Sequence, residues 1–321
     1  VLISLLLLLA GLGLLAYGAD RFVEGAAALG RLALSPLVIG LTVVSTATSA
    51  PELIVSAIAS WQGRPSVAVG NALGSNIANM TLVLGTSALV VPLVIESRTL
   101  LREYLIMLAA CLGCAALMLD GALGRGDGTV LCLALVGSLG LITLLALRSA
   151  RTDPLQQEWS GAEALPDLSI PMALLWLAAG LVLLLLGAEL TVRGAVGIAT
   201  RLGMNDLLIG LTVVAVGTSL PELAASVAGA LKGRVGLAIG NVIGSNMFNI
   251  LGVVGLAALI EPIAVEAAVL RRDFPVMLGI TLAVGALVFL YTRHRLSRAE
   301  GTLLLSCFAL YQGYLFSGVV A

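Results

Sequence analysis

Gly40-Leu-Thr-Val-Val-Ser-Thr-Ala-Thr-Ser-Ala-Pro-Glu52, followed by Gly70-Asn-Ala-Leu-Gly-Ser-Asn-Ile-Ala-Asn79, is a pattern the chain uses twice. The second copy reads Gly210-Leu-Thr-Val-Val-Ala-Val-Gly-Thr-Ser-Leu-Pro-Glu222, then Gly240-Asn-Val-Ile-Gly-Ser-Asn-Met-Phe-Asn249. The offset is constant: 222 − 52 = 170 and 249 − 79 = 170. Each copy sets a carboxylate, a proline, hydroxyls and amides inside a strongly apolar run. Ionisable groups in such runs are costly in a membrane and mark function.

Working outward, the surroundings are membrane sequence. Of 321 residues, 60% are hydrophobic and 11% charged, against about 25% charged in a soluble domain. The apolar runs have helix length, which favours a helical bundle over a barrel. A net charge of −1 gives no electrostatic case for nucleic acid. The opening run has no basic stretch or cleavage pattern ahead of it and reads as a retained helix. Ten spans are expected, near residues 1–18, 36–60, 66–92, 100–119, 129–148, 170–188, 206–230, 236–260, 274–291 and 301–319.

The duplication covers whole halves. Pro92 matches Pro262, and Arg102-Glu103 matches Arg272-Asp273, at the same offset. Residues 1–148 form one five-helix repeat, with its motif at 40–85, and residues 170–321 the other, with its motif at 210–255. The connection 149–169 is the only long polar one. An odd number of spans per half makes the second half enter from the opposite side, so the repeats are inverted, as in many secondary transporters. About 11 Lys and Arg fall in loops 1–2, 3–4, 5–6, 7–8 and 9–10 and about 6 on the other side, which makes 149–169 cytoplasmic and leaves both termini outside. The expected location is the cell membrane (the inner membrane), spanned many times.

The chemistry sits on four spans. Pro51 and Pro221 lack an N–H, and their rings clash with the carbonyls of Ala47 and Gly217, so spans 2 and 7 are expected to break there. Freed carbonyls are expected around 45–48 and 215–218. Thr48, Glu52 and Ser56 share one helical face, as do Thr218, Glu222 and Ser226. Asn71, Ser75 and Asn79 line span 3, and Asn241, Ser245 and Asn249 line span 8. Converging, they enclose a mid-membrane site with two carboxylates, hydroxyls and amides, and no thiolate or imidazole. Such hard oxygen donors suit Ca²⁺, Mg²⁺ or Na⁺. Two carboxylates there repel each other; one divalent cation, or several Na⁺ or protons, relieves this. Exclusive occupation of one charge site is the physical basis of ion exchange.

Structural readings stand beside these. Ser49-x-x-Glu52 and Ser219-x-x-Glu222 fit a capping box with a first-turn proline. The glycine pairs Gly70/Gly74 and Gly240/Gly244 fit close helix packing. Asn71, Asn76, Asn241 and Asn246 fit interhelical hydrogen bonds as well as ligation. Asp20, Glu24, Glu189 and Arg193 read as interfacial residues at helix ends, and His294 as a loop residue. Cys111, Cys114, Cys132 and Cys307 read as small apolar residues, since none has the electropositive, accessible setting of a reactive thiol.

Thr48-Ser-Ala-Pro-Glu52 with Gly74-Ser-Asn-Ile-Ala-Asn79, and Gly217-Thr-Ser-Leu-Pro-Glu222 with Gly244-Ser-Asn-Met-Phe-Asn249, resemble the two alpha repeats of the cation/calcium exchanger superfamily, in its prokaryotic sodium/calcium exchanger branch. The resemblance implies Ca²⁺ held by Glu52 and Glu222 with the carbonyls of Thr48 and Thr218. It implies one Na⁺ site from Glu52, Thr48, Ser75 and the Ser45 carbonyl, and another from Glu222, Thr218, Ser245 and the Ala215 carbonyl. Asn79, Asn249, Ser49 and Ser219 complete the candidate set. Spans 1 and 6 are implied to slide across the other eight, exchanging Na⁺ for Ca²⁺ by alternating access. Ala47 departs from the usual glycine. Asn249 stands where several relatives carry Asp, which argues against K⁺ co-transport. The short 149–169 loop has no room for a regulatory domain. The rivals are a Ca²⁺/H⁺ antiporter and a cation channel. An enzyme is not expected, nor a cofactor or protein partner beyond the transported ions and the lipid bilayer.

Overall fold

The computed structural model describes residues 2–32, 35–94, 98–149, 166–203, 215–292 and 295–320. Most of the 149–169 connection, the start of span 7 and His294 lie outside the described residues. The fold is helical: α1 Leu2–Ala28, α2 Pro36–Thr48, α3 Ala50–Trp61, α4 Ser66–Val90, α5 Arg98–Leu117, α6 Arg125–Ser149, α7 Ile170–Arg201, α8 Ala215–Thr218, α9 Leu220–Leu231, α10 Val235–Ile260, α11 Val269–Tyr291 and α12 Arg298–Val320. Every one of the ten expected spans therefore carries helix. Among the described residues, seven helices are long and apolar enough to cross a membrane, or eight when α2 and α3 are taken as one bent span.

Local chemistry sets the boundaries. Pro36 opens α2 behind Ser35, whose Oγ accepts the Val38 N–H at 3.4 Å. After α3 and α9 the chain turns through Gly63 and Gly233, both at positive φ, a conformation that strains any residue with a Cβ. Their 170-residue separation (233 − 63) extends the duplication into the turns. The all-helical expectation omits two small devices. Leu93–Val94 (β1) pairs antiparallel with Arg295–Leu296 (β4), and Ala122–Leu123 (β2) with Ile263–Ala264 (β3). Each ladder joins a loop of one half to a loop of the other.

α1 and α7 form a long antiparallel pair. Gly11, Gly18 and Gly25 recur every seven residues on α1, and Gly180, Gly187 and Gly194 do so on α7. A Cβ built at Gly11 would lie 2.5 Å from the Thr191 amide nitrogen, and one at Gly180 would lie 2.4 Å from that of Phe22. The two backbones touch, as small residues allow where lipid supplies no hydrophobic drive for association. The 32 residues of α7 extend about 48 Å, more than the roughly 30 Å of bilayer hydrocarbon, so α7 must tilt or protrude.

This length corrects one expectation. Spans 1 and 6 do not stop near 18 and 188, and Asp20, Glu24, Glu189 and Arg193 lie within α1 and α7. Pairing lets the helices continue through these charges. Lys232 Nζ lies 2.6 Å from Asp20 and 3.3 Å from Glu24, and Arg21 lies 2.9 Å from Glu24. The Arg21 guanidinium also sits 5.2 Å from the Tyr17 ring centre and 4.7 Å from that of Trp176. Glu189 and Arg193 pair with each other at 2.5 Å. Beside the Lys232 cluster, a largely apolar crevice of about 470 Å³ separates α1 from α9, lined by Leu12, Leu15, Leu223 and Val227.

The interior belongs to α4 and α10, the most enclosed spans. Leu37, Val38 and Leu41 of α2 pack on Ile239, Val242 and Ile243 of α10 in one cluster. Cys111 and Cys114 are free thiols buried with Met118, Met277 and Phe274, in keeping with the apolar reading. We expect Gly180→Ala to separate α1 from α7 and to cost about 1–3 kcal/mol, the usual range for overpacking. Thermal unfolding in detergent measures this, and an unchanged midpoint would contradict the backbone contact.

Candidate cation site at the helix breaks

The first repeat breaks at Ser49. Its backbone (φ −85°, ψ 4°) is that of neither helix nor strand, and α3 leaves α2 at 42°. In the second repeat Ser219 has the same geometry (φ −89°, ψ 5°) between α8 and α9. Each proline lies in the first turn of the following half-helix, where a missing N–H costs nothing. The capping-box reading of the serines is corrected: neither side chain caps its helix. Ser49 Oγ instead donates to Glu222 Oε1 at 3.2 Å, linking one repeat's break to the other's carboxylate. The expectation of freed carbonyls is corrected at Ser45, whose oxygen accepts the Ser49 N–H at 2.9 Å and the Thr48 hydroxyl at 3.4 Å. Both lone pairs of that carbonyl are thus engaged, so a cation there would displace the Thr48 hydroxyl, the longer of the two bonds.

Glu52 and Glu222 are both buried, with 1% exposure. Glu52 has no side-chain hydrogen bond to another described residue, and Glu222 Oε2 is likewise without one. Ser49, Ser75, Asn79, Ser219, Ser245 and Asn249 are buried too. Thr48 is fully enclosed, while Thr218 is half-buried beyond Gly217. Ala215 opens α8, and its side chain lies outside the described residues.

The structure divides the asparagines. Asn71 and Asn241 tie each Glu-bearing helix to its neighbour. Asn71 Nδ2 donates to the Glu52 carbonyl at 3.5 Å and to Ser56 Oγ at 3.1 Å. Asn241 Nδ2 donates to the Glu222 carbonyl at 3.2 Å and to Ser226 Oγ at 2.9 Å. Asn241 Oδ1 also accepts the Thr48 hydroxyl at 3.1 Å. Ser56 and Ser226, on the same face as the glutamates, are therefore spent on these ties. Asn79 Nδ2 donates to Asn246 Oδ1 and Asn249 Nδ2 to Asn76 Oδ1, both at 3.1 Å. Those bonds leave Asn79 Oδ1 and Asn249 Oδ1 buried without a donor, together with the Ser219 and Ser245 hydroxyls. Asn79 opens a π-helical segment, Asn79–Val83, and Asn249 lies in another, Phe248–Val253. Such wide turns concentrate at functional sites. Nothing in the apolar pattern of the two segments announces them.

The glycine pairs behave unequally. A Cβ at Gly240 would lie 2.1 Å from the Leu37 carbonyl oxygen, and one at Gly244 would lie 2.3 Å from that of Leu41, so α2 and α10 are in backbone contact. Gly70 and Gly74 are exposed, with nothing described within 4 Å of a Cβ. Among the described residues close packing is seen at Gly240 and Gly244; the segment equivalent to α2 in the second half, 206–214, lies outside them.

A helical membrane bundle that buries carboxylate, amide and hydroxyl oxygens between two helix breaks has the build of a cation carrier. The family model for "Sodium/calcium exchanger protein" matches residues 3–144 and 172–317. The putative antiporter CaxA of Alkalimonas amylolytica is 46% identical over 99% of this chain and 100% of its own length. The inner membrane protein YrbG of Escherichia coli K12 is 40% identical over 98% of both. A structure of the sodium-calcium exchanger NCX_Mj, soaked without Na⁺ and Ca²⁺, has TM-score 0.81 and 34% identity, covering 98% of this chain and 99% of that one. The chain belongs to the sodium/calcium exchanger family: it is a multi-pass membrane transporter of the cation/Ca²⁺ antiport class, and not an enzyme.

The unequal ties give a stability test. Asn241 makes three interhelical contacts in a buried setting and half-buried Asn71 makes two. Asn241→Ala should lower stability by about 1–3 kcal/mol, the cost of stranding buried groups. Asn71→Ala should lower it by less. Equal shifts in detergent melting curves would refute the asymmetry.

Proposed function

We propose that this protein exchanges Na⁺ for Ca²⁺ across the cell membrane by alternating access, at one mid-membrane site shared by its two halves. The half 1–148 supplies Glu52, Thr48, Ser49, Ser45, Ser75 and Asn79. The half 170–321 supplies Glu222, Thr218, Ser219, Ala215, Ser245 and Asn249. The observation that carries this reading is the set of buried, unpartnered oxygens on Glu52, Glu222, Asn79, Asn249, Ser219 and Ser245. Leaving so many acceptors unsatisfied is costly, and a cation is the partner that all of them accept. Two carboxylates match the charge of one Ca²⁺; neutral hydroxyls and amides match additional Na⁺.

Alternating access draws support from the unequal glycines. Backbone contact closes α10 onto α2 at Gly240 and Gly244, while Gly70 and Gly74, their counterparts, are exposed. Inverting the repeats exchanges the closed and open halves. The backbone contact between α1 and α7 suits a pair that moves as a unit, and the largely apolar crevice beside α9 leaves the Lys232 ion pairs to Asp20 and Glu24 as the polar contacts to break. The excess of Lys and Arg in odd-numbered loops puts both termini on the extracytoplasmic side. The β1–β4 ladder joins the loops after spans 3 and 9, and the β2–β3 ladder those before spans 5 and 9, in keeping with that parity.

Reconstitution tests the reading. Proteoliposomes loaded with Na⁺ should take up ⁴⁵Ca²⁺, and Glu52→Gln or Glu222→Gln should abolish uptake. Uptake driven by an outward H⁺ gradient alone would replace Na⁺ with H⁺ as the coupling ion, and flux far above about 10³ per second would replace the carrier with a channel. If three Na⁺ leave per Ca²⁺ entering, one positive charge moves outward per cycle. A potential of 100 mV, inside positive, then adds about 2.3 kcal/mol to the driving force, so a K⁺ diffusion potential of that sign should accelerate uptake. Indifference to the potential would exclude this stoichiometry.

A further inference from the structure

The role of Asn76 and Asn246 follows from a question about Asn79 and Asn249. An asparagine amide presents an oxygen at one end and an NH₂ at the other, and only the oxygen attracts a cation. A half-turn of the amide would replace attraction with repulsion at little steric cost. Something must therefore fix the amide polarity of Asn79 and Asn249.

All four asparagines are buried, each with 1% exposure. Asn246 Oδ1 accepts Asn79 Nδ2, and Asn76 Oδ1 accepts Asn249 Nδ2, both at 3.1 Å. Turning Asn79 would set its oxygen against Asn246 Oδ1, and turning Asn249 would set its oxygen against Asn76 Oδ1. Asn76 is itself fixed, because its Nδ2 donates to the Asn246 carbonyl at 3.2 Å, whereas Asn246 Nδ2 has no acceptor among the described residues, so the lock on Asn249 is the firmer of the two. The pairing crosses the repeats: each half holds the amide of the other. Asn79 Oδ1 and Asn249 Oδ1 are the ends left free of donors.

We propose that Asn76 and Asn246 are positioning residues, which contact no ion but lock the amides of Asn249 and Asn79 with their oxygens toward the cation. This rests on the site reading proposed above. It predicts that the requirement disappears when the amide becomes a carboxylate, because both ends of Asp are oxygen.

The test is ⁴⁵Ca²⁺ binding to the purified full chain in detergent, with folding checked by size-exclusion profile and thermal midpoint. Asn76→Ala should weaken Ca²⁺ binding by about tenfold or more, the usual effect of removing a group that orients a metal ligand. In an Asn249→Asp background the same substitution should cause no loss of affinity, because it there removes an oxygen set against the carboxylate instead of a needed acceptor. Asn246→Ala with and without Asn79→Asp provides an independent second arm. An equal loss in both backgrounds, or none in either, overturns the proposal. So does loss of folding or of all binding on both arms, which would make the asparagines merely structural. Glu52→Gln separates the two levels of inference: binding that survives it refutes the site reading, whatever the asparagine comparison gives.

Discussion

Burying two carboxylates inside a helical membrane bundle is the constraint to which the rest of this molecule answers. Glu52 and Glu222 each sit at 1% exposure, one turn after a helix break. Charge at that depth persists only beside protein polar groups or a counter-ion. The broken helices, the asparagine ties and the enclosing α4 and α10 are the answer built in protein. The proposed cation is the remainder.

The same constraint accounts for the unusual share of structure resting on amide side chains. Asn71 and Asn241 bind the carbonyl of the adjacent glutamate and a serine one turn on, so each half-helix is held at the residue that matters. Ser49 reaches across to Glu222 and Thr48 to Asn241, which joins the two breaks directly. In hydrocarbon no water competes for these groups, so each bond confers geometric definition. Outside this centre the fold uses a different material. α1 and α7 meet through glycines and backbone, and a largely apolar crevice with the Lys232 ion pairs beside it marks their border with α9. A stiff polar centre beside a largely apolar pair suits the alternating access proposed above.

Symmetry is present in connectivity and broken in packing. Asn79–Asn246 and Asn249–Asn76 are equivalent bonds, and the two ladders are equivalent ladders. Yet Gly240 and Gly244 touch backbone while Gly70 and Gly74 touch none among the described residues, and Asn241 is fully enclosed while Asn71 is half-buried. The sequence differences near the breaks are small, Ala47 against Gly217 and Ser45 against Ala215. Equivalent residues of the two repeats are thus held differently, as the alternating access proposed above would require.

Residues alone determined a good deal. The 170-residue repeat, the prolines and the apolar run lengths made the helical spans and the breaks just ahead of Pro51 and Pro221 legible, because helix periodicity and proline sterics are local. The sequence also marked Ser49 and Ser219 beside the breaks, but only the fold decided between capping and a reach across to Glu222. It listed eight asparagine and serine candidates on α4 and α10, but only the fold separated the ties at Asn71 and Asn241 from the free oxygens at Asn79 and Asn249. The length of α1 and α7 was illegible, because Lys232, whose charge lets α1 continue past Asp20, lies more than half the chain away. Hydrogen-bond partners and charge pairs belong to the neighbours that folding brings in, and a side chain's atoms do not say which of them will be used.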